Sequence, residues 1–204
     1  GLKKMGVIHR GFSTYGKTKY RNVPQWQLPI EIKRRFPEML MICDPSHISG
    51  KREYIQEISQ QAMDLGFDGL IVESHICPEI ALSDAAQQVT PMALSEILDK
   101  LVIRDIDSEN VEYKENIDEL RARIDVLDND LLELLASRMR VSDEIGKYKK
   151  QNNITILQPG RWDTILGKVF EKGNQKGLDN EFLEKIFKAI HQASIDRQTK
   201  IMNE

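Results

Sequence analysis

The 204-residue sequence has only two cysteines, Cys43 and Cys77. They make no disulfide framework, which excludes a small stapled secreted scaffold and favours a reduced, cytoplasmic compartment. Long apolar runs are missing too. Stretches such as Met39–Cys43 fall far short of the roughly 20 residues a membrane span needs, and no signal-peptide pattern opens the chain. There is no basic excess: the net charge is −3 with 30% charged residues, which argues against nucleic-acid binding by bulk electrostatics. The chain also lacks an initiator methionine, beginning Gly1-Leu2, and that reads as a cut end. What is present is a hydrophobic fraction of 40%, enough to build a core. The length suits one large domain or two small ones at roughly 100–200 residues per domain.

The two halves follow different patterns. Residues 1–103 hold both cysteines, three of the four histidines and six of the seven prolines, and their charges balance; residues 104–204 carry the whole net −3. Arg104–Val111 between them is polar and aperiodic, and reads as a linker over 104–111. In the first half, apolar runs at Lys4–His9, Met39–Asp44 and Gly69–Glu73 alternate with helical patterns at Trp26–Phe36, Lys51–Leu65 and Pro91–Val102. Continuous apolar strands followed by helices indicate buried parallel β-structure with βα crossovers. Three such units are too few to close a (β/α)₈ barrel.

The second half has no strand signal. Ile117, Leu120, Ile124, Leu127, Leu131, Leu134, Val141, Ile145 and Tyr148 form one stripe at spacings of 3 and 4 with a single gap of 7. A helix of about 35 residues, ~50 Å long, carries it, and a helix of that length usually packs against a partner chain. Further helices are expected over Arg161–Gly173 and from Asp179, as N-cap, to Ile201. Arg138 fills the gap of 7, with Arg121 and Lys149 one position off the stripe. Either Arg138 lays its stem along the seam and its head in solvent, or the cations meet an anionic ligand, because an unpaired charge in a seam is costly. Arg138 and Lys149 lie ~16 Å apart along the axis, a span two long side chains can close; Arg121 is ~25 Å from Arg138 and can serve the same ligand only from an antiparallel second copy. Ser194 and Gln198, at i and i+4, share a helix face, as an ordinary polar surface pair would also do. With no Cys, one His and neither GxxxxGK nor GxSxG in this half, a reaction governed by positioning and electrostatics fits best.

The pattern Arg121-x-x-Ile124-Asp125-x-Leu127-Asp128, Arg138, Ile145-Gly146-Lys147-x-Lys149 and Ile190-His191-x-x-Ser194-Ile195-x-x-Gln198 resembles the all-helical (type II) chorismate mutase family over residues 112–204. The resemblance implies conversion of chorismate to prephenate by a Claisen rearrangement in an intertwined helical homodimer, without a cofactor. By it, Arg138 and the second copy's Arg121 grip the two carboxylates. Lys149 and Gln198 hydrogen-bond the ether oxygen, and Ser194 and Arg161 line the pocket. Two positions depart. Gln158 and Trp162 stand where the family often has Asp and Glu near the substrate hydroxyl. Gln158 still accepts a hydrogen bond, whereas Trp162 only donates one or is core. The low-turnover alternative follows: a dimeric module that binds prephenate or chorismate and controls an attached synthase.

In the first half the strand ends carry Asp44-Pro45-Ser46-His47 and Glu73-Ser74-His75, with Asp84 after them. His, Glu and Asp at the C-terminal ends of parallel strands either cap loops or ligate a divalent metal, which this donor set does not select. His9-Arg10-Gly11-Phe12, Tyr20-Arg21-Asn22, Asp44-Pro45-Ser46-His47 and Val72-Glu73-x-His75 with Ala81-Leu82-Ser83-Asp84 resemble the 3-deoxy-D-arabino-heptulosonate 7-phosphate (DAHP) synthase family over about residues 2–100. That family condenses phosphoenolpyruvate with erythrose 4-phosphate on a metal-dependent TIM barrel. The resemblance implies His47, Glu73 and Asp84 as ligands of a divalent Mn, Fe, Co or Zn, and Arg10 as a phosphoenolpyruvate contact. The expectation is therefore the last three βα units of a barrel, inactive as a synthase alone, over 1–103 and a complete mutase domain over 112–204. Together they form a multifunctional, cytoplasmic enzyme of the shikimate pathway to aromatic amino acids, with no nucleic-acid or membrane partner.

Overall fold

A computed structural model describes residues 5–16, 18–157 and 160–203. The chain divides between Glu109 and Asn110 into two compact units.

In the first unit, β1 (Gly6–His9), β2 (Leu40–Cys43) and β3 (Gly69–Leu70) form a parallel sheet in the order β1-β2-β3. The register pairs His9 with Cys43 and Cys43 with Leu70, so the strands end level with one another. Helices α1 (Gln27–Arg35), α2 (Pro45–Ser49), α3 (Ile55–Asp64) and α4 (Pro91–Asp99) alternate with them. Met41 and Cys43 point into a core with Ile48, Ile58, Ala62 and Phe67. The alternate side chains Ile8 and Leu40 are exposed. The sheet is thus covered on one face, not on both as its apolar strands predict. Burial pushes the Cys43 thiol up to about 12, which leaves it inert as a nucleophile.

Two local differences from the sequence pattern have identifiable causes. Asp44 ends β2 and starts α2, its carboxylate accepting from the His47 N–H at 3.0 Å with Pro45 in the first turn; a cap followed by proline begins a helix where a loop was expected. Gly50 closes α2 at φ 65°, and a Cβ there would sit 2.5 Å from the Arg21 Cβ, so no other residue fits. Strand β3 stops at Leu70 because the backbone of Glu73 turns to the Ser46 hydroxyl, and His75 pairs with Val89 instead.

The second unit is helical: α5 (Val111–Gln151), α6 (Arg161–Asn174) and α7 (Asn180–Asn203). At 41 residues, α5 is ~60 Å long. Asn110 caps it through the Tyr113 N–H at 3.0 Å, so the helix starts one residue inside the segment expected as linker. Asp179 caps α7 through the Phe182 N–H at 2.8 Å. The C-terminal part of α5 packs on α7 around Ser142 and Gly146, and α6 meets α7 where Leu183 lies against Gly173. The N-terminal part keeps its stripe open: Leu120, Ile124, Leu127, Leu131 and Leu134 are all exposed, Leu134 by 69%.

His9 is buried among the rings of Phe12, Trp26 and Phe67 at 5.3–6.0 Å, and its Nε2 has no partner. Burial lowers its pKa from 6.5, opposed by a hydrogen bond to the Pro24 backbone. The unfolded chain therefore binds the extra proton first as pH falls, so the first unit's stability is present above the ordinary value and is lost on acidification through it. Urea unfolding followed through Trp26, with Trp162→Phe removing the other indole, should show a midpoint that falls between pH 7 and pH 5.5. His9→Phe should flatten that slope; an unchanged slope would exclude His9 as its source.

Candidate functional site

The first unit gathers charge beyond the ends of β2 and β3. His47, on α2, directs Nε2 toward Glu73 Oε1 at 3.4 Å and Asp84 Oδ2 at 3.9 Å. One donor atom from each of the three lies within 4.8 Å of the others. The opposite ring nitrogen, Nδ1, meets Asp44 Oδ2 at 2.7 Å, and Arg10 Nε approaches the same oxygen at 3.2 Å. The carboxylate thereby fixes the imidazole and leaves Nε2 facing the two acids. Gln87, 1% exposed, donates to Glu73 Oε2 at 2.9 Å and accepts from Arg21 Nη1 at 2.9 Å. Arg21 also binds Asp84 Oδ1 at 3.0 Å. One imidazole nitrogen and two carboxylates fit a divalent ion of the Mn, Fe, Co or Zn kind, and nothing in the set selects among them. Cys77 stands apart, its thiol facing Glu79 at 3.8 Å.

Asp44, Arg21 and Gln87 organise this cluster without being foreseen in that role. Asp44 and Arg21 sit inside phrases that stand out in the sequence, but Gln87, in a turn with no periodic pattern, carries no signal.

In the second unit the cations of α5 converge with residues of α6 and α7. Arg138, Lys149, Arg161, Ser194 and Gln198 line one pocket of about 270 Å³, walled by Val141, Ile145, Ile165 and Ile195. Arg138 Nη1 donates to Ser194 Oγ at 2.7 Å, and Ser194 in turn donates to the Ile190 carbonyl at 2.9 Å. Lys149 Nζ donates to the Ile156 carbonyl at 2.5 Å. No carboxylate lines the pocket among the described residues, so three cations share it without an internal counter-charge. Arg121 lies outside it on the exposed part of α5, paired with Asp118 at 3.4 Å. Gln158 falls outside the described residues.

Trp162 is part of the pocket wall, stacked on His191 at 4.3 Å and 19°. Burial, and then the charge of Arg138, lower the His191 pKa from its ordinary value. Ser142 does not stand out in sequence as a pocket residue, because a serine in a helical seam reads as a small packing residue; His191 lies inside the Ile190–Gln198 phrase but carries no role there.

Comparison with known proteins matches each unit separately. The model of the DAHP synthetase I family matches residues 1–108, and that of chorismate mutase type II matches residues 120–199. A phospho-2-dehydro-3-deoxyheptonate aldolase of Thermotoga maritima is 31% identical over 101 residues, covering 50% of this chain and 29% of the relative. A 4-amino-4-deoxychorismate mutase of Streptomyces venezuelae is 31% identical over 71 residues, covering 35% of this chain and 69% of the relative. A crystal structure of a T. maritima DAHP synthase aligns with a TM-score of 0.43 at 32% identity, over 47% of this chain and 28% of that one. The chain thus spans less than a third of the synthase relative's length and about two thirds of the mutase relative's. It belongs to the DAHP synthetase I family through its first unit and to the type II chorismate mutase family through its second.

Proposed function

We propose that the second unit converts chorismate to prephenate, in a homodimer whose two pockets each take Arg121 from the other copy. The observation that carries this is the convergence of Arg138, Lys149 and Arg161 with Ser194 and Gln198, without a carboxylate, around one small pocket. A dicarboxylate supplies the missing charge. A Claisen rearrangement needs no proton transfer; it needs the substrate held in its folded conformer and the negative charge on the breaking ether oxygen stabilised. Arg138, steadied by Ser194, grips a carboxylate, and Lys149 and Gln198 donate to the ether oxygen. The exposed stripe of α5 is the surface on which the second copy packs, because an apolar row of this extent is covered in stable soluble proteins.

Arg138→Ala or Lys149→Ala should lower kcat/KM at least ~10²-fold, the scale of one removed electrostatic donor. Turnover unaffected by either, in a chorismate-consumption assay, would exclude this site. The shared pocket has its own test. Arg121→Ala and Arg138→Ala should each be inactive, while their re-equilibrated mixture should regain about a quarter of wild-type activity, since half the dimers are mixed and each then holds one intact pocket. No recovery would mean that each pocket draws all its residues from one chain.

For the first unit we infer the metal-dependent condensation of phosphoenolpyruvate with erythrose 4-phosphate as the activity of the whole protein, placing both steps in aromatic amino-acid synthesis in the cytoplasm. His47, Glu73 and Asp84 would hold the ion, and Arg10 a phosphoenolpyruvate oxygen. The chemistry a divalent ion supplies is Lewis-acid polarisation of a carbonyl. Gln87 donates to the Glu73 carboxylate at 2.9 Å and to Asp84 Oδ2 at 3.4 Å, and holds Arg21, which binds the other oxygen of Asp84. Gln87→Leu should therefore weaken Mn²⁺ binding by roughly 10–100-fold, as loss of such support typically does, read by electron paramagnetic resonance titration; unchanged affinity would remove Gln87 from the site.

A second reading is favoured by Trp162. Its indole occupies the wall where an acid would meet the substrate hydroxyl and only donates. A module that binds prephenate or chorismate and regulates the synthase with little turnover fits that wall. Calorimetric binding without turnover would support it over catalysis.

A further inference from the structure

Ser142 belongs to neither set of cations nor to the residues that would touch a carboxylate, yet it is 4% exposed at the floor of the pocket. Its Oγ accepts from Gln198 Nε2 at 3.1 Å and donates to the Ser194 carbonyl at 3.3 Å. Gln198 is itself 8% exposed, and its Oε1 is buried with no hydrogen-bond partner. One turn further along α5, Gly146 lies so close that a Cβ there would stand 3.3 Å from both Cα and Cγ of Gln198. Gly146 thus backs the stem of Gln198 while Ser142, one turn away, holds its terminal amide. Rotation of the terminal amide is the freedom that remains.

We propose that Ser142 is a positioning residue for Gln198, using its rotatable hydroxyl to set which end of the amide faces the pocket. With the amide as observed, Ser142 accepts from Nε2, and the partnerless Oε1 occupies the other place. Turning the amide over exchanges the ends. Ser142 then releases the Ser194 carbonyl and donates to Oε1, and the NH₂ takes the place Oε1 held, presenting a donor to an acceptor oxygen of the ligand. A hydroxyl serves both orientations because it donates and accepts. A buried acceptor without a donor is unfavourable, so the turned state is the better one whenever the ligand offers an oxygen there. The inference rests on Gln198 being the donor to the breaking ether oxygen. Ser142 touches no reacting atom; it acts through Gln198.

The test is a double-mutant cycle on the full chain, with kcat and KM for chorismate measured for Ser142→Ala, Gln198→Ala and the double variant. Ser142→Ala should lower kcat about tenfold, the effect of one neutral hydrogen bond, leave KM within about twofold, and have almost no effect once Gln198 is alanine. An undiminished Ser142→Ala effect in the Gln198→Ala background, an effect confined to KM, or an unchanged kcat would overturn the inference while leaving Gln198 in its role. A silent Gln198→Ala would overturn both together. If Ser142→Ala does not fold, Ser142→Thr and Ser142→Val offer the same shape with and without the hydroxyl. Faster turnover by the threonine variant supports the positioning role, and equal rates overturn it.

Discussion

Like charges brought into one small pocket repel, and the helical unit is arranged around that cost. Arg138, Lys149 and Arg161 share about 270 Å³ with no carboxylate among the described lining residues. What holds Arg138 and Lys149 is neutral. The Ser194 hydroxyl takes Arg138, and the Ile156 carbonyl takes Lys149. Hydroxyl and carbonyl dipoles orient a cation without cancelling it, so the pocket keeps its demand for an anion. A glutamate in either place would neutralise the site and remove that demand. Outside the pocket the same helices pair their charges in the ordinary way, as Arg197 does with Asp143 at 2.7 Å, which lowers the Asp143 pKa.

The first unit shows the same economy with the sign reversed. Glu73 and Asp84 crowd toward one imidazole nitrogen, and the groups that hold them are the amide of Gln87 and the single cation Arg21. In each unit a buried glutamine, Gln87 or Gln198, orients its neighbours without adding charge. A glutamine suits this because its amide offers a donor and an acceptor at fixed separation, while a carboxylate or ammonium in its place would change the charge of the site. The price is uniqueness: an amide can face two ways, and something next to it must choose. At Gln87 the choice is made by Arg21, which can only donate, so the amide oxygen faces it and the NH₂ faces the carboxylate. At Gln198 the neighbour is a hydroxyl, which leaves both orientations available.

These differences explain what the sequence does and does not disclose. Arg138 stands out because it interrupts an apolar stripe, and the helical period carries it toward Ser194 and Gln198. The strand ends disclose His47 and Glu73 because alternating strands and helices must converge there. Ser142 and Gln87 carry no such mark: one sits in a helical seam where any small residue packs, the other in an irregular turn where backbone geometry alone brings it to the acids. Strand β3 reads too long for a related reason. Ile71 and Val72 continue the apolar run up to Glu73, but the Ser46 hydroxyl captures the Glu73 N–H, and no strand pattern records a competitor from another segment. The apolar strands imply two covered faces, whereas Ile8 and Leu40 are open.

The length of α5 ties the remaining features together. Its last turns pack on α7 and carry Arg138 and Lys149; its first turns carry Arg121 and an apolar row that is exposed among the described residues. Under the proposed homodimer, an antiparallel second copy would account for two separate facts at once, an apolar surface and a cation ~25 Å along the helix from its companions. Burying Leu120, Ile124, Leu127, Leu131 and Leu134 would stabilise such a pair by roughly 1–2 kcal/mol per half-exposed leucine-sized side chain, twice over by symmetry. That gain matches or exceeds the ~4–15 kcal/mol of association cost only because the row is continuous. A shorter helix would lose both the row and the reach, so the proposed chemistry and the proposed assembly would draw on the same 41 residues.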